Sequence, residues 1–497
     1  MDDTNKQSKK VVVIGAGLGG ISAAIMLKAN GFDVEVFEKN EKIGGKLNTI
    51  TEKGYTFDLG PSILTLPQYF RKLFEATGRN MDDYIKIEKV RPHWRNFFAD
   101  GTVIDLHPDM AVMKQELDKL DAQSYDQFRK FLAYSSRQYD IIAKGYFDNG
   151  LDNTLDFMKF YDFSTVFKID FFHTMHRGVA RFVKNPYLVD ILDFFIKYVG
   201  SSAYNAPGFM NLMPTIQFRF DLWYATGGMY NIARGLAKYM KELGIPVHLN
   251  QEVTRCVTDG DSVTGVVAEG ENHSADIIVS NMEGIPAYRD LLKEDDLFMY
   301  KLRKYEPACS GLVIDIGLDT QYPQLGHHNF LFSGNQKEHF ASVFNKHVMP
   351  KDPTLYLVDA SKTDPTVAPE NCSGLKVLPH IPYINESNPL TKQDYMDYRQ
   401  VVYDKLERFG LKDIRKHIVY EHILTPLDIQ SMYYSNKGAI YGVVSDLWKN
   451  FAFKLPKKSK KYANLYFTGG TVNPGGGMPM VVLCGQNVCK KIMADNA

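Results

Sequence analysis

Apolar and polar positions change their rhythm several times along the 497 residues. A β-branched run over 11–14 gives way to a glycine cluster, a helix-forming segment over 21–28, Gly31 and a second apolar run over 34–37. That order predicts a strand, a tight turn, a helix and a second strand, a β-α-β unit of about 30 residues. From about residue 70 to 225 the period lengthens: apolar residues recur at helical spacing over 110–120 and 125–143, and an aromatic-rich stretch follows at 157–223. This block predicts an inserted helical lobe. Helical spacing returns over 229–243, strand-like runs stand at 247–249 and 263–268 with a turn at Asp259-Gly260, and 277–280 is apolar throughout, as in a buried strand. Short strands alternate with proline-containing loops over 312–424, and 465–492 reads as strand, glycine loop and helix, echoing the start. No internal repeat accompanies the echo.

A chain of this length exceeds what one core organises. The rhythm divides it into a discontinuous α/β dinucleotide-binding domain of Rossmann type (11–70, 226–290 and 425–497), a helical, aromatic-rich lobe facing substrate and membrane (71–225) and a mixed α+β substrate sheet (291–424).

The glycine cluster carries the first chemistry. Gly15-Ala16-Gly17-Leu18-Gly19-Gly20 contains GxGxxG at Gly15, Gly17 and Gly20, set between strand and helix. The first glycine permits the tight turn, the second lets backbone approach a pyrophosphate, and the third lets helix and strand pack closely. The helix start adds free N–H donors and a positive dipole end. Glu38 ends the second strand, where a carboxylate receives ribose hydroxyls, with Lys39 beside it. A motif with its strand, its helix and its acid is specific for a dinucleotide, and NAD and FAD are the rivals. Gly44-Gly45-Lys46 and then Gly60-Pro61-Ser62 favour FAD, because glycines there bring backbone N–H groups close to phosphates or a flavin. Gly469-Gly470, then Asn473 and Gly477-Met478, form a second glycine loop entering a helix, and Val253 is placed with these as a cofactor contact.

Bulk properties exclude several classes. Lysine plus arginine equals aspartate plus glutamate, 58 each, so no net field recruits nucleic acid. Five scattered cysteines without a CxxC pair fit a reducing compartment with no disulfides. Residues 1–10 are polar, so no signal peptide is expected, and no run reaches the ~18 apolar residues of a spanning helix. The expected location is peripheral, on the cytoplasmic face of the membrane. His173 and His176, and His327-His328, lack a third ligand, and no metal is expected.

At 57–65, 195–202, 376–383, 437–444 and 472–479 the chain resembles the carotenoid desaturase and oxygenase family, phytoene desaturase-like FAD oxidoreductases. Within it the resemblance is to the branch that acts on thirty-carbon carotenoids in staphylococci and their relatives. It implies a glutathione reductase-like FAD domain, non-covalent FAD, molecular oxygen as co-substrate, and oxidation of a terminal methyl group of diaponeurosporene or diapolycopene to an aldehyde. The chain departs from the desaturase pattern Thr-His-Pro-Gly with Val472-Asn473-Pro474-Gly475, as the oxygenase branch is expected to. Gly470 stands where many relatives carry an acid. The alternatives are a diapophytoene-type desaturase, a soluble-amine oxidase and, from another class, a non-catalytic prenyl-lipid escort.

A carotenoid needs an apolar tunnel opening toward a membrane. Phe160, Phe163, Phe167, Phe171, Phe172, Phe194 and Phe195 are the expected lining and entrance, and Lys454, Lys457, Lys458, Lys460 and Lys461, interleaved with Phe451, Phe453 and Leu455, form either a contact with an anionic bilayer or a solvated loop. No catalytic side chain is assigned; Asp221, Arg219 and Tyr224 are the candidates for a general base.

Overall fold

A computed structural model describes residues 8–496; residues 1–7 of the polar start lie outside it. The β-branched run becomes the strand Lys10–Ile14, the centre of a five-stranded parallel sheet. The order is Leu465–Phe467, Ile277–Ser280, Lys10–Ile14, Asp33–Phe37, Val247–His248. Val11, Val12 and Val13 are wholly buried, the mark of a parallel strand covered on both faces. The helices Leu18–Ala29 and Met478–Asp495 meet backbone to backbone: a Cβ on Gly485 would stand 2.5 Å from the Gly19 carbonyl and 2.6 Å from the Ala23 amide. Ser22 Oγ donates to the Val482 carbonyl at 2.6 Å across the same seam. An antiparallel sheet of Val253–Asp259, Ser262–Ala268 and Glu271–Ser274 follows, and Gly260 takes φ 57° in its first turn.

A second, larger sheet runs Ile418–Leu424, Val313–Leu318, Ser373–Ile381, Leu355–Asp359, His328–Leu331, Trp94–Phe97, Val103–Leu106. Its neighbours are antiparallel except His328–Leu331 with Trp94–Phe97. The block read as helical, 71–225, therefore also carries strands. Each has only three or four residues, too short for a two-residue period to stand out from a helical one. The hairpin Thr49–Glu52/Tyr55–Asp58 packs on this second sheet: Tyr55 and Phe57 lie where a Cβ on Gly317 or Gly374 would meet them at 2.9 and 3.2 Å.

Helical spacing over 110–120 and 125–143 appears as Met110–Asp118 and Ser124–Ile142. Asp109 caps the first, accepting from the Ala111 amide at 2.7 Å. The second passes into a wider turn, Ala143–Asn149, which brings Tyr146 and Phe147 to the central cavity.

Candidate cofactor and substrate site

One large cavity begins at the carboxyl ends of the parallel sheet, where a crevice forms between strands of diverging connection. Gly15, Gly17, Leu18 and Gly19 line it with Glu38, Lys39 and Val253; Gly44, Gly45, Lys46, Gly60, Pro61 and Ser62 continue the wall. Gly469, Gly470, Gly477 and Met478 close it from the far end of the chain. The structure thus gathers residues from five separate segments around one space.

The glycines are held there by steric demand. Gly44 pairs with Gly17 in a short parallel bridge, its amide donating to the Ala16 carbonyl at 2.7 Å. A Cβ on Gly19 would lie 2.7 Å from Asn281 Oδ1 and 2.9 Å from the Gly469 amide, and one on Gly17 2.5 Å from Asn281 Nδ2. Gly20 does not line the cavity; its missing Cβ makes room for the Gly15 carbonyl, the close packing expected of the third glycine. The helix begins at Leu18 with no side-chain cap from Gly17; Asn281 takes the Gly20 amide, and the amides of Leu18 and Gly19 stay available to an anion. Such a cradle, with a buried acid beyond it, fits a dinucleotide.

Glu38 Oε2 accepts from the Ala16 amide at 2.8 Å and Oε1 from the Asn40 amide at 2.9 Å, which fixes the carboxylate while leaving it on the cavity wall. Ala16 itself is fully buried off the wall. Asn473 is also withdrawn: its Oδ1 accepts from the Tyr146 hydroxyl at 2.7 Å and the Lys454 amide at 3.1 Å, and its Nδ2 donates to the Leu151 carbonyl. Its amide is consumed in clamping the last loop to the helical lobe, so it does not face a cofactor. Lys46 Nζ donates to Glu283 Oε1 at 2.9 Å and to the Ala439 carbonyl, and Lys39 lies over the Tyr434 ring.

Asn281 and Glu283 escaped the sequence reading. Asn281 follows the buried strand Ile277–Ser280, and its Oδ1 accepts from the Gly20 amide at 3.0 Å. Its place just past the end of a strand next to the first one is the signal that would have found it. Lys376, also on the wall, donates to the Gly60 carbonyl and to Ser62 Oγ, tethering the 60–62 loop to the second sheet. Asp58 near it accepts from the Met229 and Tyr230 amides, and burial lifts its carboxyl to about 6.

Past the glycine loops the cavity continues as an apolar arm between Ile142, Phe147, Phe209, Met213, Ile216 and Leu378. The expected lining is corrected. Phe194 and Phe195 are fully buried in the core, Phe195 stacking on Trp94 with ring centres 4.2 Å apart, and neither reaches the arm. Phe163, Phe167 and Phe172 point outward, 80%, 64% and 75% exposed, with Phe160, Leu155 and Met158 also exposed. Phe171, half-buried, links the two sets by edge contacts to Phe157 and to the arm residue Phe209. Aromatic content located the lobe but not which rings face in.

The lysine run is corrected as well. Lys454 is buried, donates to the Val443 carbonyl, and burial lowers its amine to about 8. Lys457 is buried against Asp152, Lys458 pairs with Asp495 at 2.9 Å, and Lys461 with Glu294 at 2.5 Å. The run stitches the last loop to its surroundings and leaves little charge for a bilayer.

None of the three candidate bases lines the cavity. Asp221 is ringed by His93, Arg91 and Lys89; burial opposes ionisation, yet those hydrogen bonds hold its carboxyl well below the usual range. Arg219 pairs with Asp140 at the surface, and Tyr224 is buried against His327. His173 and His176 pair with Asp170 and Asp193. Cys484 and Cys489 are buried on the last helix, and burial raises both thiols, Cys489 to about 12.

Residues 18–321 match the family model described as flavin containing amine oxidoreductase. The chain is 52% identical over 493 residues to 4,4'-diapolycopene oxygenase of a Methylomonas species, covering 99% of each chain. It is 47% identical over 493 residues to 4,4'-diaponeurosporene oxygenase of Staphylococcus aureus strain USA300, again covering 99% of each. Among solved structures, an oxidoreductase from Methanosarcina mazei superposes with TM-score 0.68 at 16% identity, covering 97% of this chain and 100% of that one. Putrescine oxidase bound to putrescine gives TM-score 0.66 at 13% identity, covering 98% and 99%. Likeness at that identity speaks to the fold.

Proposed function

This chain belongs to the family of flavin-containing amine oxidoreductases, and we propose that, with FAD bound, it converts a terminal methyl group of a thirty-carbon carotenoid, diaponeurosporene or diapolycopene, to an aldehyde. The observation that carries this reading is the continuity of one cavity, a dinucleotide cradle running into an apolar arm. A polyene hydrocarbon is rigid, insoluble and without hydrogen-bonding groups, so a water-excluding arm is the site it requires. Turning a methyl into an aldehyde is a four-electron oxidation, RCH3 + O2 → RCHO + H2O, for which bound FAD would supply two-electron chemistry with dioxygen as electron acceptor and oxygen source. The chain's own residues bind and orient. Glycines 15–20, 44–45 and 469–470 admit the cofactor closely, Lys376 fixes the 60–62 loop, and the arm directs the polyene's end to the loop at Gly477. The conjugated chain beside the terminal methyl spreads charge or unpaired spin that develops there, so no nucleophilic side chain is needed.

Delivery of so insoluble a substrate points to a lipid surface. The outward phenylalanines and aliphatics of 155–172, next to the arm through Phe171, support peripheral docking on the cytoplasmic face of the membrane. Among the described residues no helix is long and apolar enough to cross a membrane.

The test is expression in a host that accumulates diaponeurosporene, under isotope-labelled dioxygen, with the pigment weighed. The expected product gains one labelled oxygen and loses two hydrogens at an end. Loss of hydrogen alone makes the protein a desaturase, an unlabelled aldehyde removes dioxygen as the source, and a purified protein that stays colourless with added FAD restores the lipid-escort alternative.

A further inference from the structure

Two polar groups stand in the apolar arm with nothing to bind. Lys197, on the short helical turn Phe194–Val199, lines the arm, and among the described residues its Nζ has neither a hydrogen bond nor an ion pair. It is caged by rings instead, with centroids at 4.3 Å for Tyr356, 4.5 Å for Tyr198, 4.8 Å for Phe330 and 4.9 Å for Trp94. Gln217, on the helix Met213–Phe220, also lines the arm and is wholly buried. Its Oε1 accepts from the Tyr198 hydroxyl at 3.0 Å, and its Nε2 reaches no partner. The Tyr198 carbonyl lies 3.9 Å from where a Cβ on Gly477 would be, so the turn that carries Lys197, and whose Tyr198 bonds Gln217, runs beside the last glycine loop.

A site for a hydrocarbon alone gains nothing from such groups. Burying a donor without an acceptor costs about 1–3 kcal/mol, and apolar residues of the same shape would avoid the cost. Both free groups are N–H donors, so the missing partner is an acceptor. Burial drives the Lys197 amine well below the usual lysine range, among the described residues no carboxylate pairs with it, and an arm otherwise lined by apolar side chains favours an uncharged acceptor. The complement is a neutral oxygen.

We propose that Lys197 and Gln217 are positioning residues that bind the oxygen atom of an already oxidised polyene terminus, a hydroxymethyl or aldehyde group, at the mouth of the glycine loop. This rests on the carotenoid reading above and adds to it that the site recognises its oxygenated product or intermediate as well as the hydrocarbon. A terminus that has acquired oxygen is held for as long as the two donors engage it, while a methyl end is gripped by the arm alone.

The experiment uses FAD-loaded protein with two probes in detergent micelles, diaponeurosporene and its terminal mono-aldehyde, and the variants Lys197→Met and Gln217→Leu. Hydrogen bonding to a conjugated carbonyl moves its absorption to longer wavelength, so the wild type is expected to red-shift the aldehyde and to bind it more tightly than the hydrocarbon. Each variant should weaken aldehyde binding about tenfold relative to the hydrocarbon and reduce the shift, with flavin absorbance retained. A variant that fails to hold FAD is set aside and the other decides. Wild-type aldehyde affinity and shift in a flavin-loaded variant overturn the donor pair while leaving the carotenoid reading intact. A wild type that neither binds nor oxidises diaponeurosporene overturns that reading, and this inference with it.

Discussion

Single atoms decide the cofactor end of the molecule. Gly19 is wedged between Asn281 and the Gly469 amide, two partners from different parts of the chain, with no space for a Cβ. Gly19→Val is expected to yield a folded but colourless protein, read as unchanged far-UV circular dichroism with loss of the flavin absorbance; retained colour would deny that this glycine frames the cofactor. The places of Gly15, Gly17, Gly20 and Glu38 were legible in sequence because what fixes them is local: strand, turn and helix lie within one β-α-β unit. Asn281 was not, since it reaches Gly20 from 261 positions away and its one mark, a place just past the end of a buried strand, acquires meaning only once that strand is known to lie beside the first. The lysine run misled for a related reason. A count of charges says nothing of their partners, and Asp152, Asp495 and Glu294 sit in other segments.

The lobe over 154–172 shows what periodicity resolves and what it does not. Helices as short as Thr154–Phe160 and Phe163–Val166 present one or two turns, so an aromatic at helical spacing may equally sit inside or out, and only the packed neighbours decide. Phe157 turned in and Phe163 turned out. The outward set gives a clean discrimination. Phe163→Ser with Phe167→Ser is expected to abolish cosedimentation with liposomes, whereas Lys460→Glu, at an exposed position of the lysine run, should leave it unchanged. The reverse result would return the docking surface to the lysines. The long helices and the parallel strands were readable because ten or more residues, or a continuous β-branched run, leave little ambiguity.

Stability of the assembled protein carries a pH signature. His327, His339 and His380 are each held at about 3 by burial, against 6.5 for an exposed histidine. Below about pH 6.5 the unfolded chain binds protons that the folded one refuses, so this part of the stability is complete above that pH and is lost as pH falls toward 3. Asp58 and Asp190, raised to about 6 and 7, act in the opposite sense. A comparison of variants separates the terms: His339→Gln should remove about one proton taken up on unfolding, flattening stability against pH by up to about 1.4 kcal/mol per unit between roughly pH 3 and 6.5. Equal slopes in denaturant titrations of both proteins would contradict it.

The seam between the first and last helices has a consequence for synthesis. Gly485 fits against Gly19 and Ala23, and the Ser22 hydroxyl finds its acceptor 460 positions later. On the ribosome, then, the pyrophosphate loop emerges first and waits for almost the entire polypeptide before the wall that faces it exists. Flavin capture waits for the helix Met478–Asp495, and colour reports that this segment has been made and docked.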